Sequence, residues 1–535
     1  MMADKPTTTN TSKTIGQLLE HIDKDELILP EIQREFVWTK KAIKLLFDSL
    51  YRGLPIGHML IWKATTAVKA RPVHGRHAPK GAPISTFYGY LLDGQQRLTA
   101  IRNVRDGNEN YPLMFYAYPD RESEGNEAFY WRGKNEEPDP WCIPLSEVLD
   151  ERFNLTERLN AIKKDEYFKP KHEEDIRRDL THLHDILNYH VGVIEWAADD
   201  YRLATDLFVR FNSTGRKLRS ADLNLAQLAI RVPGLASDDI RKTQSAWRDF
   251  RFTAPFLVQS LLAVHTGRLR LKNPEHFWDG EDPADIRDSW KRTHKAFGDL
   301  VNFLTGTVRW PSSTLIPSFN ALIPLVYIMA SNGSLTAAER ESARRWLLLA
   351  SVHRYFSGSV QTQLDSILRR LGDRTSLKKL LGITKIAKRK LKAEDFDTSR
   401  ISGPVMSLYL SFLREADARD WLHHDFRLDG TVAGNGSALQ VHHFFPRALL
   451  RKRDDLRTSD INTFANYAII SAATNLDVLT EEPASYIERL KIPTSELKKQ
   501  CIPLDKRLWR ASRYGDFLRE RRRLLAQEAN TFLGF

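Results

Sequence analysis

Two adjacent histidines, a proline three residues on and two downstream asparagines constrain this chain more than any other feature. The stretch reads Val441-His442-His443-Phe444-Phe445-Pro446, followed by Phe464-Ala465-Asn466-Tyr467 and then Thr474-Asn475-Leu476. Pro446 cannot donate to a strand ladder, so it ends a strand and fixes the turn that follows. A short helix capped by Ser471 then carries Asn475. Together these predict a hairpin-plus-helix pocket, and the residue set suits metal-assisted phosphodiester hydrolysis. His443 is the candidate general base, because imidazole titrates near neutral pH. Asn466 bridges the two arms of the hairpin and aims that base. His442 and Asn475 are the candidate ligands of a divalent cation. Adjacent strand residues normally face opposite sides, so using both imidazoles demands irregular backbone at the strand end.

The whole chain sets a frame for that pocket. Its 535 residues suffice for two to four domains, and 42% hydrophobic with 28% charged residues is ordinary globular composition. No apolar run approaches a membrane span, and the polar, Thr-rich start has neither a secretory core nor a cleavage site. Two cysteines, Cys142 and Cys501, cannot build a disulfide framework or a zinc site alone. A reducing cytoplasm is the expected location. The formal net charge of +12 favours a polyanionic partner. One basic cluster comprises Lys378, Lys379, Lys385, Lys388, Arg389, Lys390 and Lys392. The other comprises Lys506, Arg507, Arg510, Arg513, Arg519, Arg521, Arg522 and Arg523, with Trp509 and Tyr514 interleaved. Such runs read either as solvated helix faces or as phosphate contacts. Beside a nuclease pocket, Lys506, Arg507, Arg510, Arg519 and Arg522 are expected to contact DNA phosphates without reading bases.

A second chemical signature lies near the N-terminus. Asp93-Gly94 is a turn pair closing the apolar stretch Leu91-Leu92, and Gln95, Gln96 and Arg97 open a helix. Backbone N–H groups and an arginine fork converge there, which makes a phosphate cradle. Asp93 could hold a metal ion or orient water, Arg97 pair with a phosphate, and Gln95 and Gln96 bind phosphate or ribose oxygens. Gln33 and Arg34, then Arg210 and Asn212, supply similar chemistry in two further segments.

These segments together carry a family resemblance. Asp93-Gly94-Gln95-Gln96-Arg97, Gln33-Arg34-Glu35-Phe36-Val37-Trp38 and Phe208-Val209-Arg210-Phe211-Asn212 resemble the N-terminal domain of GmrSD-like, modification-dependent restriction endonucleases. That domain has a ParB/sulfiredoxin-like, NTP-binding fold. His443-Phe444-Phe445-Pro446 with the two asparagines resembles the HNH nuclease module at the C-terminus of the same family. The chain departs from many HNH modules at His442, where they carry Asp. An imidazole binds Mg²⁺ poorly and Mn²⁺ or Ni²⁺ better, which leaves the choice between Mg and Mn open.

Between the ends, residues 11–118 read as mixed α/β. Ile15–Leu27 is amphipathic, Lys40–Tyr51 is a helix, Gly57–Trp62 is a strand, and the basic stretch 69–83 is a surface loop. A charged insertion follows from Asp120 to Pro144, helices across 146–188, and a returning strand at His190–Trp196. Helical periodicity then dominates to about residue 400, with a capping box at Thr336–Glu339. The expected organisation is α+β and predominantly helical. An NTP-binding domain spans 11–225 with a helical insertion at about 120–188, a helical linker 226–400, and a ββα-metal nuclease domain 401–535.

The reading is an NTP-regulated, metal-dependent DNA endonuclease of prokaryotic defence, acting on phage or modified DNA, as a homo-oligomer or with a companion defence protein. Two alternatives stay open: a ParB-like DNA-binding regulator with an inactive nuclease, and an NTP-dependent toxin acting on RNA.

Overall fold

The computed structural model describes residues 6–535 except 31–35, 65–69, 72–86, 119–126, 134–138, 199–202, 205–206, 209, 211–219, 272–276, 374, 401–402, 429–438 and 479. The chain forms two compact units, Met1–Ile240 and Arg241–Phe535.

The first unit is built on a mixed sheet. Its strands are β1 (Thr7–Thr14), β2 (Leu27–Pro30), β3 (Met59–Lys63), the two-residue β4 (Ala70–Arg71), β5 (Gly89–Asp93) and, later in the chain, a strand at His190–Ala197. A second, antiparallel sheet of three short strands comes between, comprising β6 (Leu113–Tyr116), β7 (Phe129–Trp131) and β8 (Cys142–Pro144). The strand at His190–Ala197 is therefore β9, and the main sheet runs in the order β1-β9-β3-β5-β2-β4. β3 and β5 are central and buried almost throughout, as near-continuous apolar runs should be. Side-chain alternation divides their residues between two cores. Met59, Ile61 and Leu91 join the core beneath helices α1 (Ile15–Asp23), α2 (Lys40–Tyr51) and α3 (Gln95–Arg105), whereas Leu60, Trp62, Tyr90 and Leu92 pack with Trp196 and Phe208.

Two sequence readings shift here. The amphipathic stretch from Ile15 ends as a helix at Asp23, and Leu27 opens β2 instead of closing the helix. The Thr-rich start is a strand, pairing with β9 from Thr7↔Ala197 to Thr14↔His190. β-branched residues suit an exposed edge strand, and an exposed edge leaves no alternating apolar signal to read. The stretch 69–83 lies outside the described residues apart from Ala70 and Arg71.

The second unit is largely helical. Its longest helix is Pro283–Phe303, and Thr336 caps the helix Ala337–Val352 through the expected capping box with Glu339. Near the C-terminus the helices give way to an antiparallel pair, β10 (Leu439–His443) and β11 (Tyr467–Ser471), with a short helix at Ala472–Val478 directly after it. Trp421, Phe444, Phe445, Tyr486, Trp509, Tyr514 and Phe517 form a core around this hairpin. Among the described residues, no helix is long and apolar enough to cross a membrane.

Candidate functional site

The ladder between β10 and β11 holds Leu439↔Ser471 through His443↔Tyr467 without a register shift. His442 and His443 therefore keep the alternation of an ordinary strand and meet different partners. The irregular backbone expected at the histidine pair is not found there; the ladder departs from regularity only after His443. Phe444 N–H still donates to the Asn466 carbonyl at 2.7 Å, but Phe445 N–H donates to the Asn466 side-chain oxygen at 2.9 Å. Asn466 is fully buried, and its amide nitrogen donates to the carbonyls of Phe445 (3.2 Å) and Ile461 (3.1 Å). It bridges the hairpin arms, but it touches backbone only. The side chain that meets His443 is Asn462, whose Oδ1 lies 3.0 Å from Nε2. Sequence reasoning missed Asn462; a second asparagine four residues before Asn466 was the available signal. Phe444 and Phe445 lock this corner, with Phe444 stacked on Phe517 at 4.9 Å between ring centres. Pro446 then leads the helix turn Arg447–Leu450.

His442 and Asn475 come together across strand and helix. His442 Nδ1 is 2.7 Å from Asn475 Oδ1, and Asn475 Nδ2 donates to Gln440 Oε1 at 2.9 Å. With the Asn475 amide oriented in this way, Nδ1 of His442 is the nitrogen that donates to Asn475 Oδ1. Its Nε2 is buried without a partner, and the rings of Trp421 and Tyr486 stand edge-on at 6.1 and 6.5 Å. Burial pushes the His442 imidazole down to about 4, so the ring is neutral at physiological pH. Burial also lowers His443, with the Asn462 bond opposing and Arg447 adding to the shift.

The helix carrying Asn475 is held at its first turn. Thr474 N–H donates to Ser471 Oγ at 3.1 Å, which is the expected cap. Asp420, fully buried, accepts from Ser471 N (2.6 Å), Leu422 N (3.2 Å), His423 N (3.0 Å) and the Thr474 hydroxyl. Neither Asp420 nor Gln440 stood out in the sequence, because both lie outside the motif.

The residues present fit a divalent cation at the His442–Asn475 pair. An imidazole nitrogen and a carboxamide oxygen at 2.7 Å stand close to the spacing of neighbouring ligands, about 3 Å for bonds near 2.1 Å. The proton that a cation displaces from Nδ1 has a place on the unpartnered Nε2. The described residues hold no cluster of three His, Cys, Asp or Glu side chains suited to a metal.

The basic residues of the C-terminal cluster divide. Lys506, Arg507, Arg510 and Arg519 are exposed, but Arg507 pairs with Asp505 (2.8 Å), Arg510 with Glu482 (3.4 Å) and Arg519 with Asp516. Arg522 is a correction. It is partly buried and ties Asp397 (2.7 Å) to Thr463 (3.2 Å), a bond within the fold rather than a free phosphate contact. Arg521 is wholly buried, donating to the carbonyls of Ala465 (3.0 Å) and Gln500 (3.2 Å). Trp509 and Tyr514, interleaved with these cations in the sequence, belong to the core.

At the other end of the chain, α3 starts where the sequence placed it. Gly94 sits at φ +100°, and a Cβ there would collide with Met59 Sδ, so only glycine fits. Arg97 is committed within the fold, donating to the carbonyls of Ile56 (2.6 Å) and His58 (2.8 Å) and pairing with Asp93 at 2.7 Å. Gln96 Oε1 accepts from Val37 N–H at 2.8 Å, and Gln95 is buried. Phe208 is buried against the sheet and Arg210 is exposed. Gln33, Arg34 and Asn212 lie outside the described residues. The five-residue motif thus clamps the sheet corner to the β3 approach and to the chain before α2.

Known proteins can be set beside this arrangement. Residues 15–229 match the family described as GmrSD restriction endonuclease, N-terminal domain. The match runs from the first residue of α1 to the helix Ser220–Arg231 and takes in Asp93-Gly94-Gln95-Gln96-Arg97. An uncharacterized protein of Methanocaldococcus jannaschii is 22% identical over 517 residues, spanning 90% of this chain and 87% of its own. The similarity to GmrSD restriction endonucleases thus rests on the N-terminal unit, and the likeness to the archaeal protein extends through both units.

Proposed function

We propose that the chain is a metal-dependent DNA endonuclease of the HNH type, regulated by an NTP bound in its N-terminal unit and directed at phage or modified DNA. One observation carries the nuclease reading: β10 and the helix after β11 bring His442 Nδ1 and Asn475 Oδ1 to 2.7 Å, while the strand turns the adjacent His443 to the other face, against Asn462. The GmrSD match supports DNA as substrate and defence as the setting.

In this reading His443 takes the proton from the attacking water at Nδ1. Asn462 Oδ1 accepts from Nε2–H, which fixes the tautomer and leaves the lone pair on Nδ1. Asn466 holds the backbone that carries the base, through Phe445 and Ile461. Arg447, exposed and close enough to depress His443, offers a phosphate contact beside it. A divalent cation held by His442 and Asn475 would supply positive charge to the scissile phosphate. The buried His442 is neutral at physiological pH and would bind a cation at Nδ1 only once that proton passes to Nε2, while Gln440 orients the Asn475 carbonyl oxygen. For the N-terminal unit, Gln96 and Arg97 in the largely buried first turn of α3, together with exposed Arg210, are the groups assigned to NTP phosphates, with Gln33, Arg34 and Asn212 proposed from the motif alone.

Nicking of supercoiled plasmid with Mn²⁺ or Mg²⁺ tests the nuclease. His443→Ala should lower the rate by about 10²-fold or more, the usual contribution of a general base. Asn475→Ala should abolish cleavage while duplex binding persists. Wild-type rates in either variant would remove that residue from the mechanism.

A further inference from the structure

The proposed substrate needs a surface to rest on, and the two basic clusters differ in a way that selects one. The C-terminal cluster is largely neutralised from within, by Asp505, Glu482, Asp516 and Glu520, and two of its arginines are structural. The stretch from Leu377 to Lys392 carries seven cations and no carboxylate. Helix Leu377–Thr384 buries Leu377, Leu380 and Thr384 and leaves Lys378 and Lys379 exposed. Lys385, Lys388, Arg389, Lys390 and Lys392 follow, all exposed, while Ile386 and Leu391 turn inward as anchors. Leu391 is pinned by both sides of its peptide to Asn530, at 2.9 Å each. None of Lys378, Lys385, Lys388, Arg389 and Lys390 has an ion-pair partner among the described residues. Seven cations held on an anchored, carboxylate-free stretch cost self-repulsion that a polyanion relieves.

The same segment leads into the candidate nuclease hairpin. Beyond Lys392 the chain runs to Thr398, whose carbonyl accepts from Phe464 N–H at 2.6 Å, and Phe396 packs on the Phe464 ring. Phe464 lies in the turn between Asn462 and Asn466. Six residues span at most about 20 Å, which is about six base pairs of duplex at 3.4 Å each.

From this placement we infer that the Lys378–Lys392 surface, and not the C-terminal helix, holds the phosphate backbone of duplex DNA while the hairpin acts on it. The inference rests on the nuclease reading for its substrate. It concerns sequence-independent positioning, since lysines on a backbone read no bases.

Duplex binding by the full chain carrying His443→Ala, without divalent metal, tests it across a salt series. A variant adding Lys378→Gln, Lys385→Gln, Lys388→Gln and Lys390→Gln should bind at least about tenfold more weakly, with the log–log salt slope flattened by roughly 0.9 for each phosphate no longer neutralised. A second variant, Arg507→Gln with Arg510→Gln and Arg519→Gln, should keep affinity within about twofold. Circular dichroism and melting of both variants exclude misfolding. Unchanged binding in the lysine variant, or weakening confined to the arginine variant, overturns the inference and leaves the nuclease standing. Preference for a single-stranded or RNA competitor over duplex overturns both. Loss of cleavage in Asn475→Ala with intact binding shows that the two surfaces act separately, as inferred.

Discussion

His442 has two ring nitrogens with different fates. Nδ1 is bonded to Asn475, and Nε2 is enclosed without a partner. A neutral ring tolerates that enclosure and a protonated one does not, which is why burial lowers its titration to about 4. The sign of the linked stability follows. Between the ordinary value of about 6.5 and the folded value, the unfolded chain binds a proton that the folded chain refuses. The group's contribution is fully present above pH 6.5 and lost progressively as pH falls towards 4, up to about 3 kcal/mol. Urea midpoints at pH 7, 5.5 and 4.5 should therefore decline less steeply in His442→Gln than in the wild type. Equal slopes would mean that the ring is solvated. The sequence displayed this histidine and its asparagine partner, because both belong to the motif at fixed spacing. It could not display that strand alternation keeps the two histidines apart, or that Asn462 meets His443 while Asn466 serves the backbone. Those outcomes depend on which carbonyls the turn leaves unpaired.

At the scale of elements, a two-stranded hairpin is marginal alone and depends on what closes its edges. The outer edge of β11 is closed by one side chain acting as a strand. Gln500 Oε1 accepts from Ile469 N–H at 2.8 Å, and its amide nitrogen donates to the Ile469 carbonyl at 2.7 Å. Tyr409 holds the same amide oxygen at 3.1 Å, and buried Arg521 holds the Gln500 carbonyl. Gln500→Ala should leave two buried backbone groups unpaired and cost about 2–4 kcal/mol. Amide exchange at Ile469 should accelerate in step with the lower melting temperature; retained protection at that amide would show that the edge is closed by something else. The apolar run, Pro446 and the Ser471 cap made the hairpin and its helix legible. Gln500 was not, since a polar residue far along the chain has no pattern that marks it as a strand mimic. Arg521 misled for a related reason. Within a run of arginines, only the helix face decides which one enters the core, and here Tyr514, Phe517 and Leu518 set that face.

For the molecule as a whole, the question is whether two chemistries in two units can be separated. The N-terminal unit matches the GmrSD restriction endonuclease N-terminal domain, and its Asp93–Arg97 pair closes a corner of its own sheet. The residues proposed for the nuclease, His442, His443 and Asn475, lie in the second unit. Asp93→Ala frees a guanidinium that is mostly buried, so it disturbs the α3 corner and the NTP phosphates assigned there. NTP turnover should fall by about tenfold or more in Asp93→Ala, the scale of one missing charged hydrogen bond. NTP-free nicking with Mn²⁺ should stay within about threefold of wild type. His443→Ala should do the reverse, keeping NTP turnover and losing nicking. Phosphate release and plasmid nicking, measured on the same preparations, read the two activities independently. If Asp93→Ala also abolished NTP-free nicking at an unchanged melting temperature, the N-terminal unit would be part of the cutting machinery itself. If NTP turnover survived in Asp93→Ala, the clamp would be structural alone, and the nucleotide would have to be sought at Arg210.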